Sequence, residues 1–136
     1  MNQELILQAS YLEQQSQELQ ENISLLDKEI LDLQNFLDSL QFLENSKEKS
    51  ILASIGKGVF INASLEEKNL LVNVGSNILV KKTHEEAKKT VNSQIKKLSE
   101  AKFHLLNRLE EHRQAVHNII KQIEKNNPNA LKHNHD

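Results

Sequence analysis

The side chains able to do chemistry are few and widely scattered. His133, His135 and Asp136, with His117 upstream, are of the types that hold a divalent cation, and a metal-buffering protein is one reading of them. No helix pattern fixes their spacing, so a polar tail is the plainer account, and no metal site is assigned. Gly56-Lys57-Gly58 lacks the G-x-x-x-x-G-K-[ST] spacing that cradles phosphates, which leaves a tight turn. Glu110-Glu111-His112-Arg113 offers an acid and a base, but no nucleophile stands near it in the sequence. Lys88-Lys89 and Lys96-Lys97 are interspersed with acids, and the whole chain carries a net charge of −2, so nucleic acid is not an expected partner. There is no cysteine, which excludes disulfides and thiolate ligands and fits a reducing compartment. The expectation is a protein that is not an enzyme and needs no cofactor.

The elements that position these residues are two long heptad arms. Leucine occupies positions 5, 12, 19, 26, 33 and 40, and Ala9, Ser16, Ile23, Ile30 and Leu37 form a second seven-residue series between them. These are the d and a positions of a coiled coil. A helix of about 40 residues spans roughly 60 Å. The second arm runs from about His84 to Lys125. Its d series is Val91, Leu98, Leu105, His112 and Ile119, and its a series is Ile95, Lys102, Leu109, Val116 and Ile123. Thr83 with Glu86 reads as a capping box at its start, and Asn126-Asn127-Pro128 as its stop.

Charge decides how the arms pair. Residues 1–45 hold nine acids and one base, a net of −8, whereas residues 84–125 hold nine bases and six acids, a net of +3. A parallel pair of first arms sets like charge against like, so an antiparallel hairpin within one chain is expected. The register that brings every a position against a d position pairs Leu5 with Ile123, Ala9 with Ile119 and Leu12 with Val116. It continues with Leu19 against Leu109, Ile23 against Leu105, Ile30 against Leu98, Leu33 against Ile95 and Leu37 against Val91. Leu26 then faces Lys102, whose stem packs while its charge reaches water. Ser16 faces His112, and a hydrogen bond between them would make a polar, register-setting layer rather than a ligand site or pH switch.

Residues 46–83 differ in kind. All three glycines fall in two turns, Gly56-Lys57-Gly58 and Gly75-Ser76-Asn77, flanked by short apolar runs. In "VFINASL" the residues Val59, Ile61, Ala63 and Leu65 alternate with Phe60, Asn62 and Ser64, a half-buried strand pattern. Two β-hairpins are expected, about 50–55 with 59–65 and about 70–74 with 78–83. Hairpins this short cannot bury their apolar residues alone, and their edges stay unpaired. Ile51, Ile55, Val59, Ile61, Leu70, Val72, Val74, Ile78 and Val80 are therefore expected to assemble with the same region of another chain.

The order of long helix, two hairpins and long helix resembles the prefoldin family, and its α-type subunit in particular. The stretches "IGKGVFINASL" and "LLVNVGSNILVKKTHEEAKK" carry the likeness together with the flanking heptads. The resemblance implies an α+β subunit, a long antiparallel two-helix coiled coil with two inserted hairpins that form a β-barrel body on oligomerisation. On this resemblance residues 1–136 are expected to form a single prefoldin-like subunit. Its parts are a first helix at 1–45, assembly hairpins at 46–83, a second helix at 84–125 and a flexible tail at 126–136. It further implies an ATP-independent co-chaperone, a hexamer with β-type prefoldin subunits, whose arm tips hold non-native client proteins and pass them to a group II chaperonin. The tail has no counterpart role in the resemblance.

The residues themselves point to the same end of the arms. Besides Leu5, Leu12, Ile119 and Ile123 on the seam, Ile6, Leu7 and Ile120 lie off it, with Leu131 beyond. Off-seam apolar groups cannot all face the partner helix, and clustered at one end they offer an apolar patch to unfolded chains. The alternative is a coiled-coil scaffold or filament-forming relative without client holding. The N-terminus has no signal-peptide pattern, and no run approaches the roughly 20 apolar residues of a membrane helix, so a soluble cytoplasmic protein with no membrane partner is expected, and the resemblance implies that it is a hetero-oligomer.

Overall fold

The computed structural model describes residues 2–67 and 69–126. Its elements follow the order α1 (Asn2–Asn45), β1 (Ser50–Gly56), β2 (Val59–Ser64), β3 (Leu70–Asn73), β4 (Leu79–Lys82) and α2 (His84–Asn126). The described residues divide into two compact units, residues 2–30 with 97–126, and residues 31–67 with 69–96.

The first unit is an antiparallel helix pair. Leu19, Ile23 and Leu109 are 7, 9 and 5% exposed and form one buried cluster, with Leu105 packed against it. These are the residues that the sequence register places face to face. As numbers rise along α1 they fall along α2: Gln15 reaches His112, and Asp27 reaches Lys102 at 2.6 Å. Lys102 thus solves the poor layer opposite Leu26 by carrying its ammonium to the Asp27 carboxylate. Burial stops there. The remaining seam residues of this unit are half-buried, which is what a two-helix seam without a third element can provide.

The second unit holds both hairpins and the adjoining helix ends. Thr83 Oγ1 accepts from the Glu86 backbone N–H at 3.1 Å, and the Ala87 N–H donates to the Thr83 carbonyl at 3.1 Å. Those bonds satisfy donors that the first turn of α2 leaves open, and Glu85 and Glu86 suit its positive end. Leu40, Ala87, Val91 and His84 are buried. Lys88 Nζ donates to Glu44 Oε2, a half-buried bond that joins the two helices. That carboxylate, accepting the bond, raises the Lys88 ammonium above the ordinary lysine value of 10.5, with Glu85 adding attraction and burial opposing it.

Strand β1 pairs antiparallel with β2, and β3 with β4, as two separate two-stranded sheets. In the first, Ile51 faces Ala63 and Ala53 faces Ile61, while the ladder slips at Ile55 before Gly56 meets Val59. That slip leaves Lys57-Gly58 as a two-residue loop with φ of 55° and 75°, the left-handed pair that a type I′ turn demands. In the second, Val72 faces Val80, and the loop is closed by Ile78 N–H donating to Gly75 O at 3.0 Å. Ser76 and Asn77 supply its positive φ values. Asn73 Oδ1 accepts from the Gly75 N–H at 2.9 Å, an Asx turn that aims the chain into the loop.

Candidate functional site

Two surfaces stand out, and both are apolar. The first lies on the helix pair, toward the start of α1 and the end of α2. Leu5, Leu12, Ile119 and Ile123 are half-buried along the seam, as are Ala9 and Val116. Ile6, Leu7 and Ile120 are exposed, and so is Tyr11, which the heptad analysis passed over. Tyr11 sits outside the a and d positions, so periodicity alone gives it no role. Leu131, the histidines at 133 and 135, and Asp136 lie outside the described residues.

A polar layer borders this patch, and it corrects one expectation. Ser16 does not bond His112; its hydroxyl donates to the Leu12 carbonyl of its own helix at 2.8 Å. His112 instead pairs through Nδ1 with the Arg108 carbonyl at 2.7 Å and through Nε2 with Gln15 Oε1 at 3.1 Å. Gln15 Nε2 in turn donates to the Tyr11 hydroxyl at 2.8 Å. The physical reason is reach: a serine hydroxyl in a helix finds its own carbonyl four residues back, whereas an amide at the next position can cross the seam. The amide can present oxygen to a ring N–H or, turned over, NH2 to a bare ring nitrogen, and the tyrosine hydroxyl accepts from the NH2 in the first case and donates to the oxygen in the second. Nothing in the layer is placed to attack a substrate.

The second surface is the hairpins. Ile51, Leu70 and Val72 are half-buried, whereas Ile55, Val59, Ile61, Val74, Ile78 and Val80 are exposed. Leu52, Phe60, Leu71 and Leu79, on the opposite sides of the same ladders, are exposed too. The alternation in β2 is therefore legible only in Ala63 and Leu65, which are half-buried, while Val59 and Ile61 stand as open as Phe60. Each sheet has only two strands, so each keeps unpaired edge groups beside this apolar surface.

Among the described residues no three His, Asp or Glu side chains converge as a metal ion would require. No helix among them is long and apolar enough to cross a membrane.

A family model described as prefoldin subunit matches residues 12–128. Over 69 residues the chain is 41% identical to prefoldin subunit alpha of Methanococcus maripaludis. That stretch is 48% of this chain and 46% of the relative, so the match spans about half the length of the curated protein. Among solved structures, a chain in the cryo-EM structure of filamentous PFD from Methanocaldococcus jannaschii is similar with a TM-score of 0.73 and 26% identity. The likeness covers 85% of this chain and 97% of that one.

Proposed function

Because the chain belongs to the prefoldin family as a subunit of the α type, we propose that it holds non-native polypeptides at the arm ends and joins other subunits through its hairpins. The observation that carries the reading is the exposure of Ile6, Leu7, Tyr11 and Ile120 at the same end of the helix pair as the half-buried seam of Leu5, Leu12, Ile119 and Ile123. Leu131 belongs to the same proposed surface by sequence. An unfolded client offers short apolar segments, and each contact with one arm end is weak. Several arms acting together convert weak contacts into retention without any need for nucleotide.

Assembly supplies those several arms. The hairpin residues Ile55, Val59, Ile61, Val74, Ile78 and Val80 present apolar surface beside open ladder edges. Hairpins of β-type prefoldin subunits would cover that surface and close the sheets into a barrel, giving a hetero-oligomer, a hexamer in this reading. The client would then pass to a group II chaperonin in the cytoplasm. No step in this sequence requires bond chemistry, and the chain acts as a binding protein rather than an enzyme.

Removal of residues 1–8 and 120–136 tests the assignment. Assembly should survive, and protection of an unfolding client from aggregation should disappear; undiminished protection would overturn it. A second reading, an open-ended filament without client holding, is favoured by the likeness to the filamentous assembly. Native mass measurement separates the two, since a closed hexamer with a β-type partner supports the first and polymers of this chain alone support the second.

A further inference from the structure

We propose that the Gln15–His112 layer is a stop, dividing the helix pair into a distal segment whose seam opens to a client and a proximal segment that stays closed. The inference rests on the client-holding reading and deepens it by assigning where the client-accessible seam ends.

Burial changes abruptly at this layer. On its distal side no described seam residue is buried: Leu5, Ala9, Leu12, Val116, Ile119 and Ile123 are all half-exposed. On its proximal side the next residues inward are Leu19, Ile23 and Leu109, the buried cluster of this unit, with half-buried Leu105 packed against it; Leu26, Leu98 and Ile30 further in are half-buried again. Separating the helices as far as the layer therefore uncovers side chains that are already partly in water. Separating them past it strips the cover from the cluster and breaks the His112–Gln15 bond, and the Asp27–Lys102 bridge stands further in.

The chemistry of displacement sharpens the boundary. An apolar client segment can replace the contacts that Leu12 and Val116 make across the seam, because dispersion and water exclusion are not directional. Its apolar side chains cannot replace a hydrogen bond to His112 Nε2 or to the Gln15 amide, and burying either group without a partner is unfavourable. A client advancing between the helices thus gains at each apolar layer and loses at the polar one. The Tyr11 hydroxyl, bonded to Gln15, extends the polar layer onto the outer face, where the apolar patch would otherwise run on.

Amide hydrogen exchange on the full-length chain in its native assembly tests this without any client. A step is expected at the layer, with amides of residues 2–14 and 113–126 exchanging at least about tenfold faster than those of 17–29 and 98–111. The double variant Gln15→Leu/His112→Leu makes the layer apolar, and the step should vanish as the distal amides slow by about tenfold. Exchange that declines smoothly from the ends, or a step unchanged in the double variant, would overturn the proposal. If that variant fails to assemble, His112→Ala serves instead. There the fast class should spread across residues 105–111, and an unmoved boundary would again overturn it. A clear step together with undiminished client protection after tip truncation would remove the client reading and leave the stop standing.

Discussion

Replacing Ile6, Leu7 and Ile120 together by glutamine should weaken client capture while leaving the fold in place. The three side chains are 51, 69 and 44% exposed. Full burial of a leucine or isoleucine stabilises by about 1.5–3 kcal/mol, so the uncovered fractions could contribute on the order of 4 kcal/mol per arm end. That figure is a ceiling, because a client covers only part of each group and association orders both partners. If a third is realised, about 1.4 kcal/mol is lost per arm end, roughly tenfold in affinity, and several arms compound it. Glutamine keeps the side-chain stem and a good helix propensity, so each exposed site should change stability by no more than about 0.5 kcal/mol. Fluorescence anisotropy with a labelled, permanently unfolded polypeptide reads the affinity, and a helical melt reads the fold. A less than twofold change in affinity, with assembly intact, would refute the reasoning.

Four other substitutions probe the scaffold. Leu109→Ala removes the most buried member of the seam cluster and should cost about 2–4 kcal/mol in denaturant unfolding of the helical signal. Leu25→Ala, at an exposed site, should stay within about 0.5 kcal/mol. Ile61→Asp places a charge on the exposed hairpin surface and should abolish oligomerisation in sedimentation while the helical signal persists. Lys88 gains its proton affinity from Glu44, so the pair's contribution is fully present at neutral pH and up to the unfolded lysine value near 10.5, and is lost as pH rises through the higher folded value. Lys88→Met should remove that alkaline loss, visible as a flatter dependence of the denaturation midpoint on pH above about 10.

Much of the helical framework was readable because the cues agreed at every level. A helix of 44 residues without glycine or proline, with an unbroken leucine heptad, leaves little alternative. The antiparallel register followed from matching a to d, and Leu19, Ile23, Leu105 and Leu109 meet as that match requires. The turns were readable because positive φ concentrates glycine, although Lys57, Ser76 and Asn77 share the same region without being glycine. Sequence pattern failed where two satisfactory partners competed. Ser16 could cross the seam or turn to Leu12, and the local bond wins, which hands His112 to Gln15. Both hairpins form as expected, but the pattern failed on which strand face is covered. Alternation assumes that a strand's own chain covers one face, but Leu52, Phe60, Leu71 and Leu79 are exposed alongside the face chosen from the pattern. On the proposed assembly, other chains rather than this one cover that surface, so no such imprint is left. Tyr11 escaped for a related reason, since its role lies in a hydrogen bond rather than in a period.

The central claim is that clients are held at the arm ends. A photoreactive amino acid placed in turn at positions 7, 120, 25, 42 and 60 of the assembled protein, followed by illumination with an unfolding client, tests it most directly. All five native residues, Leu7, Ile120, Leu25, Phe42 and Phe60, are exposed, so accessibility alone does not favour any of them. Client adducts concentrated at positions 7 and 120 are the predicted result. Adducts concentrated at 25, 42 or 60, with 7 and 120 silent, would contradict it.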